Sequence, residues 1–293
     1  MKELPMNLCD INEVKALLAR HGFRFSKSMG QNFLIQDWVP KEIAKAAPTG
    51  AGVWVLEIGP GIGCLTRELS LEADWVTAVE LDRSLLPILK ETLADRDNIN
   101  IISGDILKMD IPALAEENQG SSYEPVACAN LPYNITTPVI TALIEANIFS
   151  FITVMVQKEV AQRICAEPGS KDYGAFSVFC QYYTKPELLF EVPPECFIPA
   201  PKVTSAVVRM RARLGDPLQD EVDNPDHFFK VVRAAFALRR KTLLNSLSAN
   251  LGGYSKEDIA QAIKACGLPA DIRGERLSIT QFAQLSKALR GLV

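Results

Sequence analysis

The order of apolar and polar positions between residues 52 and 157 predicts a repeated alternation of strands and helices. Apolar runs rich in β-branched residues occur in "GVWVLEIG", "DWVTAVELD", "NINIISGDIL", "EPVACA" and "FITVMVQ". We interpret these runs as buried strands. Helical patterns lie between them at Cys64–Glu72, from a cap at Ser84 to about Ala94, and after Pro138. This alternation predicts an α/β fold with a doubly wound, mostly parallel sheet covered by helices on both faces.

The pattern changes in the last third of the chain. "PELLFEV" and "VTSAVVRMRA" resemble strands joined by a proline-rich loop without a helix, which predicts an antiparallel pair at one sheet edge. A polar stretch at about residues 214–226 is the candidate linker. Beyond it, "HFFKVVRAAFALRRKTLLNSL", "KEDIAQAIKACG" and "SITQFAQLSKAL" show helical periodicity. The sequence therefore predicts an α/β domain over residues 1–215 and a small all-helical C-terminal domain over residues 222–293.

The composition is typical of a globular protein, with 48% hydrophobic and 23% charged residues. No apolar stretch follows the first residues, and the most apolar segment, Val139 to Val156, is interrupted by polar side chains. A cytoplasmic protein without a membrane span is therefore expected. Seven cysteines without a CxxC pair, and two distant histidines (His21 and His227), predict reduced thiols and no metal site.

The charge is distributed unevenly along the chain. Residues 35–130 hold 16 acidic and 7 basic side chains, a balance of −9, so the remainder carries +5 within a net charge of −4. Basic flanks around an acidic centre are expected where the flanks meet a polyanion such as RNA. Chance variation among solvated faces explains the same asymmetry equally well.

A glycine turn follows the first strand of the alternation. In open parallel sheets, ligands bind beyond the carboxyl ends of the strands, where the strand order reverses. Glu57 precedes Gly59, Gly61 and Gly63, and Cys64 stands where a dinucleotide fingerprint requires Gly or Ala. S-adenosylmethionine (SAM) carries a sulfonium and an ammonium and no phosphate, so acidic neighbours suit it. The turn therefore favours a SAM site over a dinucleotide site.

Two acidic residues lie where the next two strands finish: Glu80 ends the second strand, and Asp105 comes just past the third. Glu80 is placed to accept hydrogen bonds from ribose hydroxyls, and Asp105 to accept one from the exocyclic amine of the adenine of SAM. Either acid alone is as typical of a helix cap. The succession of glycine turn, Glu80 and Asp105 predicts a methyltransferase core.

The fourth strand ends in Asn130-Leu131-Pro132-Tyr133. An adenine N6 amine is a poor nucleophile, because its lone pair is delocalised into the ring. The Asn130 side-chain carbonyl and the Leu131 backbone carbonyl can each accept one N6–H bond, which would hold the amine in line with a methyl group. Pro132 stiffens the turn and Tyr133 offers a face for stacking the base. The alternative is a plain Asx-type turn with a buried tyrosine.

The motifs together resemble the ribosomal RNA adenine dimethyltransferase family. They are "KSMGQNFL" (27–34), "LEIGPGIGCLT" (56–66), "VELD" (79–82), "GDIL" (104–107), "NLPYNITTP" (130–138) and "FIPAPKVTSAVV" (197–208). In the tail, "FALRRKTLLNSL" and "RGERLSITQFAQL" resemble the small-subunit branch of that family. The resemblance implies the Rossmann-like fold of class I SAM-dependent methyltransferases, with a motif for cofactor or RNA in the segment 1–34.

The resemblance also implies roles for single residues. Phe197 would sandwich the target adenine against Tyr133, which makes Asn130, Leu131, Pro132, Tyr133 and Phe197 the expected catalytic group. RNA contacts are expected at Lys27, Lys202, Arg239, Arg240 and Lys241, the last three on a helix, although charge runs on helices are often merely solvated. The residues expected to hold SAM are Gln31, Asn32, Leu34, Gly59, Gly61, Glu80, Asp105 and Asn130.

The implied reaction is the dimethylation of N6 on two adjacent adenines in the 3′-terminal hairpin loop of 16S rRNA, within the 30S subunit. SAM is the expected methyl donor, without a metal, and a monomer is expected. Two alternatives remain: the same chemistry on 23S rRNA or DNA adenine, and a ribosome-assembly or nucleic-acid-binding factor without catalysis.

Overall fold

The computed structural model describes residues 6–26, 29–119, 123–213, 215–216, 218 and 221–292. The chain forms two compact units. The first lies within Met1–Ala161 and Glu187–Ala212, and the second within Gln162–Pro186 and Arg213–Val293.

The first unit is built on a seven-stranded sheet with the order β4-β3-β2-β5-β6-β9-β7. A separate pair of short strands, β1 and β8, is antiparallel. In chain order the strands are β1 (Phe33–Leu34), β2 (Val53–Ile58), β3 (Trp75–Glu80), β4 (Ile99–Ser103), β5 (Glu124–Asn130), β6 (Phe151–Gln157), β7 (Thr184–Val192), β8 (Phe197–Ile198) and β9 (Ser205–Ala212).

The sheet topology confirms the predicted doubly wound class. Strand β2 pairs in parallel with both β3 and β5, while β3 pairs with β4 and β5 with β6. The chain thus proceeds outward in one direction from β2 and in the other from β5, so the strand order reverses between these two strands. Strand β9 runs antiparallel to β6, and β7 lies beside β9 at the edge. All positions of β2 are buried, which fits a central strand covered on both faces.

Helices of the first unit connect and cover these strands. One sequence detail is corrected: Asp82, and not Ser84, provides the cap after β3, since its Oδ1 accepts from Ser84 N at 2.9 Å. A short 3₁₀ turn at Arg83–Leu85 precedes the helix proper. The helices of the first unit are α1 (Ile11–Arg20), α2 (Trp38–Ala46), α3 (Cys64–Glu72), α4 (Leu86–Thr92), α5 (Ile111–Gln119) and α6 (Thr136–Glu145). Helix α7 (Lys158–Ile164) begins in the first unit and ends in the second, which contains α8 (Ala175–Tyr183).

The second unit is helical. After α8 its helices are α9 (Pro225–Ala237), α10 (Leu243–Asn250), α11 (Lys256–Ala265) and α12 (Ile279–Arg290). The apolar pattern from residue 227 to 247 reads as one helix, but Leu238 leaves the helical region (φ −122°, ψ 72°) and Thr242 caps a new helix. Arg239, Arg240 and Lys241 therefore lie in the turn between α9 and α10, which corrects their predicted helical position.

The segment Gln162–Pro186 belongs to the helical unit. Its aromatic side chains explain this: Tyr182 packs on Phe228 with ring centroids 5.3 Å apart, and the buried Tyr173 donates its hydroxyl to Leu277 O at 3.0 Å. The sequence division places this segment in the first domain. Periodicity along the chain carries no information about such distant partners.

The described part of the chain contains no helix long and apolar enough to cross a membrane. Within the same residues, no group of three or more histidine, cysteine, aspartate or glutamate side chains is arranged to hold a metal ion. All seven cysteines are free thiols.

Candidate active site

A cavity of about 1160 Å³, including its open mouth, lies at the carboxyl ends of the central parallel strands. This is the place where open α/β sheets bind their ligands. The structure brings most of the predicted site residues to its wall: Gln31, Asn32, Leu34, Gly59, Gly61, Glu80, Asp105, Asn130, Leu131, Pro132 and Tyr133.

The glycine turn after β2 forms the floor of this cavity. Gly59 and Gly61 have φ angles of +69° and +61°, a region that favours glycine. A Cβ added to Gly61 would lie 3.2 Å from two atoms of the Phe33 ring, so the backbone and this ring approach each other closely. Any larger residue at Gly61 would be strained and would also press on the segment that contains β1.

Glu80 closes the turn from the end of β3. Its carboxylate accepts from Gly61 N at 3.2 Å and from Asp82 N at 2.8 Å. The side chain is buried, and burial raises the pKa of Glu80. The two backbone donors fix the carboxylate at the cavity wall, where it can accept hydrogen bonds from a ligand.

A second buried acid, Glu57, lines the cavity from within β2. Its side chain is 1% exposed, and Oε2 has no hydrogen-bond partner among the described residues. Burial raises the pKa of Glu57 to about 8. A buried polar atom without a partner is costly unless a ligand supplies one. From the sequence we identified Glu57 only as the residue before the glycines. An acidic residue inside an otherwise apolar strand is a signal that could have identified it as part of the site.

The donor set of the cavity fits SAM. The described lining of the cavity includes the carboxyl groups of Glu57, Glu80 and Asp105, which can accept hydrogen bonds from a ligand, and no lysine or arginine that would bind a phosphate. SAM carries a positive sulfonium and an ammonium, whereas a dinucleotide carries a pyrophosphate. The chemistry of the wall therefore agrees with the preference that the glycine spacing indicated.

Asp105 follows β4 and makes contacts within the protein. Its Oδ1 accepts from Leu107 N at 3.1 Å, which caps the 3₁₀ turn Ile106–Lys108, and its Oδ2 lies 3.5 Å from Lys108 Nζ. Asp105 nevertheless lines the cavity. The cap is therefore present, and the predicted contact with the adenine amine of SAM stays a prediction for a residue that lines the cavity.

The segment Met29–Leu34, which we call the strap, forms one side of the cavity. Gln31 donates from Nε2 to Asp82 Oδ2 at 2.6 Å and accepts from Ser26 N at 3.0 Å. Both ends of its amide therefore bond to the protein, so Gln31 anchors the strap. In Asn32, the side-chain amide donates to Gly30 O at 3.1 Å.

The tetrapeptide Asn130–Tyr133 faces the strap from the end of β5. Asn130 Nδ2 lies 3.5 Å from Asn32 O. The backbone is fixed because Leu131 N donates to Met155 O at 3.1 Å. The Tyr133 hydroxyl lies 2.6 Å from Ser205 Oγ. Asn130 thus bonds across the cavity to the strap, which differs from a plain Asx turn.

Phe197 is the predicted site residue that the structure does not bring to the cavity wall. It is 3% exposed and packs in the core of the first unit, where its strand β8 pairs with β1 through Leu34. Its predicted stacking on the target adenine would require the ring to leave this position. The role of Phe197 stays a prediction.

The predicted RNA contacts lie in both units of the chain. Lys202 is exposed in the loop before β9, and Arg240 and Lys241 are exposed in the turn after α9. Arg239 is engaged within its own unit, because Nε lies 3.3 Å from Glu275 Oε2 and Nη2 donates to Lys171 O. Lys27 lies outside the described residues.

Two further residues at the site were missed from the sequence, Asn134 and Ser205. Asn134 lines the cavity, and its Oδ1 lies 2.9 Å from the Cβ that an alanine at position 30 would carry. Ser205 is fully buried beside Tyr133. Asn134 adjoins the tetrapeptide, which is a usable signal, whereas nothing local marks Ser205.

The fold and this cavity define the class of protein. A parallel sheet with this order, a glycine turn at the switch point and acids at two successive strand ends form the architecture of a class I SAM-dependent methyltransferase. The chain belongs to the ribosomal RNA adenine dimethylase family, whose profile matches residues 22–290. It is an enzyme that dimethylates adenine in ribosomal RNA with SAM as the methyl donor, which confirms the class predicted from the motifs.

The chain is similar to proteins named ribosomal RNA small subunit methyltransferase A. That of Streptococcus thermophilus is 46% identical over 288 residues, which cover 97% of this chain and 99% of the relative. That of Geobacillus thermodenitrificans is 46% identical over 281 residues, covering 95% of each chain.

Two solved structures share the fold at greater sequence distance. A dimethyladenosine transferase from Plasmodium falciparum has a TM-score of 0.71 at 25% identity, covering 86% of this chain and 95% of that one. The 23S rRNA methyltransferase ErmE has a TM-score of 0.67 at 25% identity, covering 88% of this chain and all of that one.

Proposed function

We propose that this enzyme acts on small-subunit ribosomal RNA, where it dimethylates N6 of two adjacent adenines in the 3′-terminal hairpin loop of 16S rRNA within the 30S particle. The observation that carries the proposal is the 46% identity, over nearly the full length of both chains, to relatives named as small-subunit methyltransferases. Similarity to the 23S rRNA enzyme is lower, at 25% identity.

The donor side of the site comprises the glycine turn, Glu80, Asp105 and the strap. We expect Glu80 to hold the ribose hydroxyls of SAM and Asp105 its adenine amine, while Gly59 and Gly61 allow the backbone to approach the ligand. Asn32 and Leu34 contact SAM from the strap, which Gln31 anchors to Asp82. When bound, SAM supplies a methyl group activated by a sulfonium.

The base side comprises Asn130–Tyr133 and Phe197. Asn130 Oδ1 and the Leu131 carbonyl accept the two N6–H bonds of the target adenine, which keeps the amine nitrogen oriented for attack. Tyr133 carries the base on its ring, and Phe197 covers the other face after moving out of the core. The proton on nitrogen becomes acidic only after methylation, so no general base is required before transfer.

The flanks of the chain bind the RNA backbone. Lys202, Arg240 and Lys241 are exposed cations, and Lys27 belongs to the same predicted set. Arg239 contributes less, because Glu275 already pairs with it. We expect a cytoplasmic monomer whose helical unit contacts the ribosomal particle.

Parallel labelling of ribosomal particles tests the substrate. Unmethylated 30S particles and 50S precursors are incubated with the enzyme and methyl-labelled SAM, and methylated adenines are mapped by primer extension and mass spectrometry. We expect label only in the small-subunit RNA, at two adjacent adenines that each become dimethylated. Label confined to RNA from the 50S precursor would overturn the proposal and favour the large-subunit alternative.

A further inference from the structure

We propose that Ser205 is a positioning residue for methyl transfer, which fixes the ring of Tyr133 through a hydrogen bond to its hydroxyl. The two oxygens lie 2.6 Å apart, at the short end of the range for O–H···O bonds. The inference rests on the proposed function, in which the Tyr133 ring carries the target adenine. It adds a residue that touches neither the base nor SAM.

The backbone position of Ser205 is fixed by the sheet. It is fully buried and begins β9, where it pairs with Gln157 of β6. The preceding residue is also fixed, because Thr204 O accepts from Lys158 N at 3.0 Å. The Ser205 hydroxyl is therefore a fixed point at the end of β9 from which a neighbouring side chain can be oriented.

Two different strands hold the two ends of the tetrapeptide. At one end, β6 accepts the Leu131 amide through Met155 O. At the other end, β9 holds the Tyr133 ring through Ser205. Because β6 and β9 are paired along their length, the backbone carbonyl of Leu131 and the plane of the Tyr133 ring are tied to the same piece of sheet.

This arrangement bears directly on the geometry of the reaction. The carbonyl of Leu131 binds the amine of the target base, whereas the ring of Tyr133 sets the plane of that base. A displacement of about 1 Å between reacting groups can cost roughly 100-fold in rate. The Leu131 carbonyl and the Tyr133 ring must therefore keep a fixed position relative to each other. Burial raises the pKa of Tyr133. Ser205 holds the ring in that position through its hydrogen bond to the tyrosine hydroxyl.

The experiment compares Ser205→Ala, Tyr133→Phe and the double variant in the full-length enzyme. Each single variant removes the same hydrogen bond, so we expect each to lower kcat about 10-fold and the double variant to lower it no further. The Kd for SAM should stay unchanged, because the glycine turn and Glu80 are untouched. Ser205→Thr keeps the hydroxyl and should restore most of the activity.

A spectroscopic measurement separates positioning from simple stabilisation. A hairpin RNA carrying 2-aminopurine at the target position reports stacking through quenching of its fluorescence. We expect quenching by the wild-type enzyme and by Ser205→Thr, and weaker quenching by Ser205→Ala. Ser246→Ala is the matched control, because it removes another fully buried serine hydroxyl, one that donates to Ala234 O at 2.7 Å. It should lower the Tm without changing kcat or quenching.

Two results would overturn the inference: wild-type kcat and quenching in Ser205→Ala, or fully additive losses in the double variant. Failure of the underlying function is a separate outcome, recognised with Tyr133→Ala. If that variant retains normal methylation and quenching, Tyr133 does not carry the base, whatever Ser205 does. If Tyr133→Ala loses both while Ser205→Ala loses neither, only the role of Ser205 is refuted.

Discussion

The donor side and the base side of the cavity are built in different ways. On the donor side, Gly61 N and Asp82 N fix the Glu80 carboxylate, and Gln31 ties the strap to Asp82. On the base side, Tyr133 bonds to Ser205, whereas Phe197 is buried in the core and does not line the cavity. The residues proposed for the donor side are thus already bonded to one another at the cavity wall, whereas Phe197, proposed for the base side, lies in the core.

This difference follows from what each ligand brings. SAM is small, and rigid backbone with two buried carboxyls can bind it without large movement. The target adenine is part of an RNA and must leave its stack before it can enter. A site that Phe197 completes only when the base arrives would make closure depend on the correct substrate.

Removal of the amide that lies between the two sides should have the largest effect. Asn130→Ala takes away the Oδ1 acceptor for the amine and also the contact with Asn32 O. We expect kcat to fall about 1000-fold, as on loss of a hydrogen-bonding group that acts on the transition state, while particle binding stays largely intact. Labelled methyl transfer and particle co-sedimentation measure the two. Asn250→Ala, in the helical unit, is the control; undiminished transfer by Asn130→Ala would refute the role of Asn130.

The buried acid of the donor side should make stability depend on pH. Burial raises the pKa of Glu57 from 4.5 to about 8, so the folded protein keeps a proton that the unfolded chain releases. This stabilisation is complete below pH 4.5 and is lost as the pH rises to about 8. Glu57→Gln cannot ionise and should gain stability relative to wild type over this interval, by a few kcal/mol at pH 9.

Urea unfolding at pH 5, 7 and 9 measures this difference. At pH 5 both side chains are neutral in the folded state, so the variant and the wild type should differ least there. A constant difference across the three pH values would contradict the assignment of a neutral Glu57.

Replacement of Phe197, the aromatic residue proposed to cover the base, should lower turnover and leave SAM binding unchanged. Phe197→Leu keeps an apolar side chain in the core but loses the aromatic face. We expect kcat to fall about 10-fold, since base stacking contributes about 1–3 kcal/mol, with an unchanged Kd for SAM. Phe149→Leu is the control, because Phe149 is equally buried and stacks on Trp54 in the core. Normal turnover in Phe197→Leu would restrict Phe197 to packing.

The smallest effect is expected at the strap. Gly30 has a φ of +63°, and an added Cβ would lie 2.9 Å from Asn134 Oδ1. Gly30→Ala should therefore weaken SAM binding several-fold, at a cost of roughly 1 kcal/mol. Gly22→Ala is the matched control: its φ is +61°, but no atom lies within 4 Å of the added Cβ. Calorimetric titration with SAM should show weaker binding for Gly30→Ala only; equal effects would assign the loss to backbone strain alone.

Local patterns were sufficient for much of the donor side. The strand β2, the glycine turn and helix α3 follow one another without a break, Glu80 ends β3, and Asp105 comes just past β4, as predicted. On this side of the cavity, each lining residue is positioned by the strand that it ends or follows. Parallel pairing then brings the carboxyl ends of the strands together, so a one-dimensional pattern predicts a three-dimensional site.

Pairs of distant side chains could not be predicted in the same way. Gln31 and Asp82 are 51 positions apart, and Tyr133 and Ser205 are 72 apart. The functional reading of Gln31 as a SAM contact came from a motif, whereas both ends of its amide bond to the protein. The break at Leu238, which moved Arg239 off a helix, likewise runs against a continuous helical periodicity.

The way in which the chain passes between its two units limits how the protein can be divided. The polypeptide leaves the α/β unit after Ala161, returns at Glu187 and leaves again after Ala212, so three peptide connections join the units. Truncation after residue 212 would remove the helices against which Gln162–Pro186 packs. The rings of Tyr173 and Tyr182 would then lie uncovered, and an exposed aromatic surface of this kind promotes aggregation. The catalytic unit is therefore not separable by a single cut, and an active minimal enzyme needs a redesigned loop between residues 161 and 187.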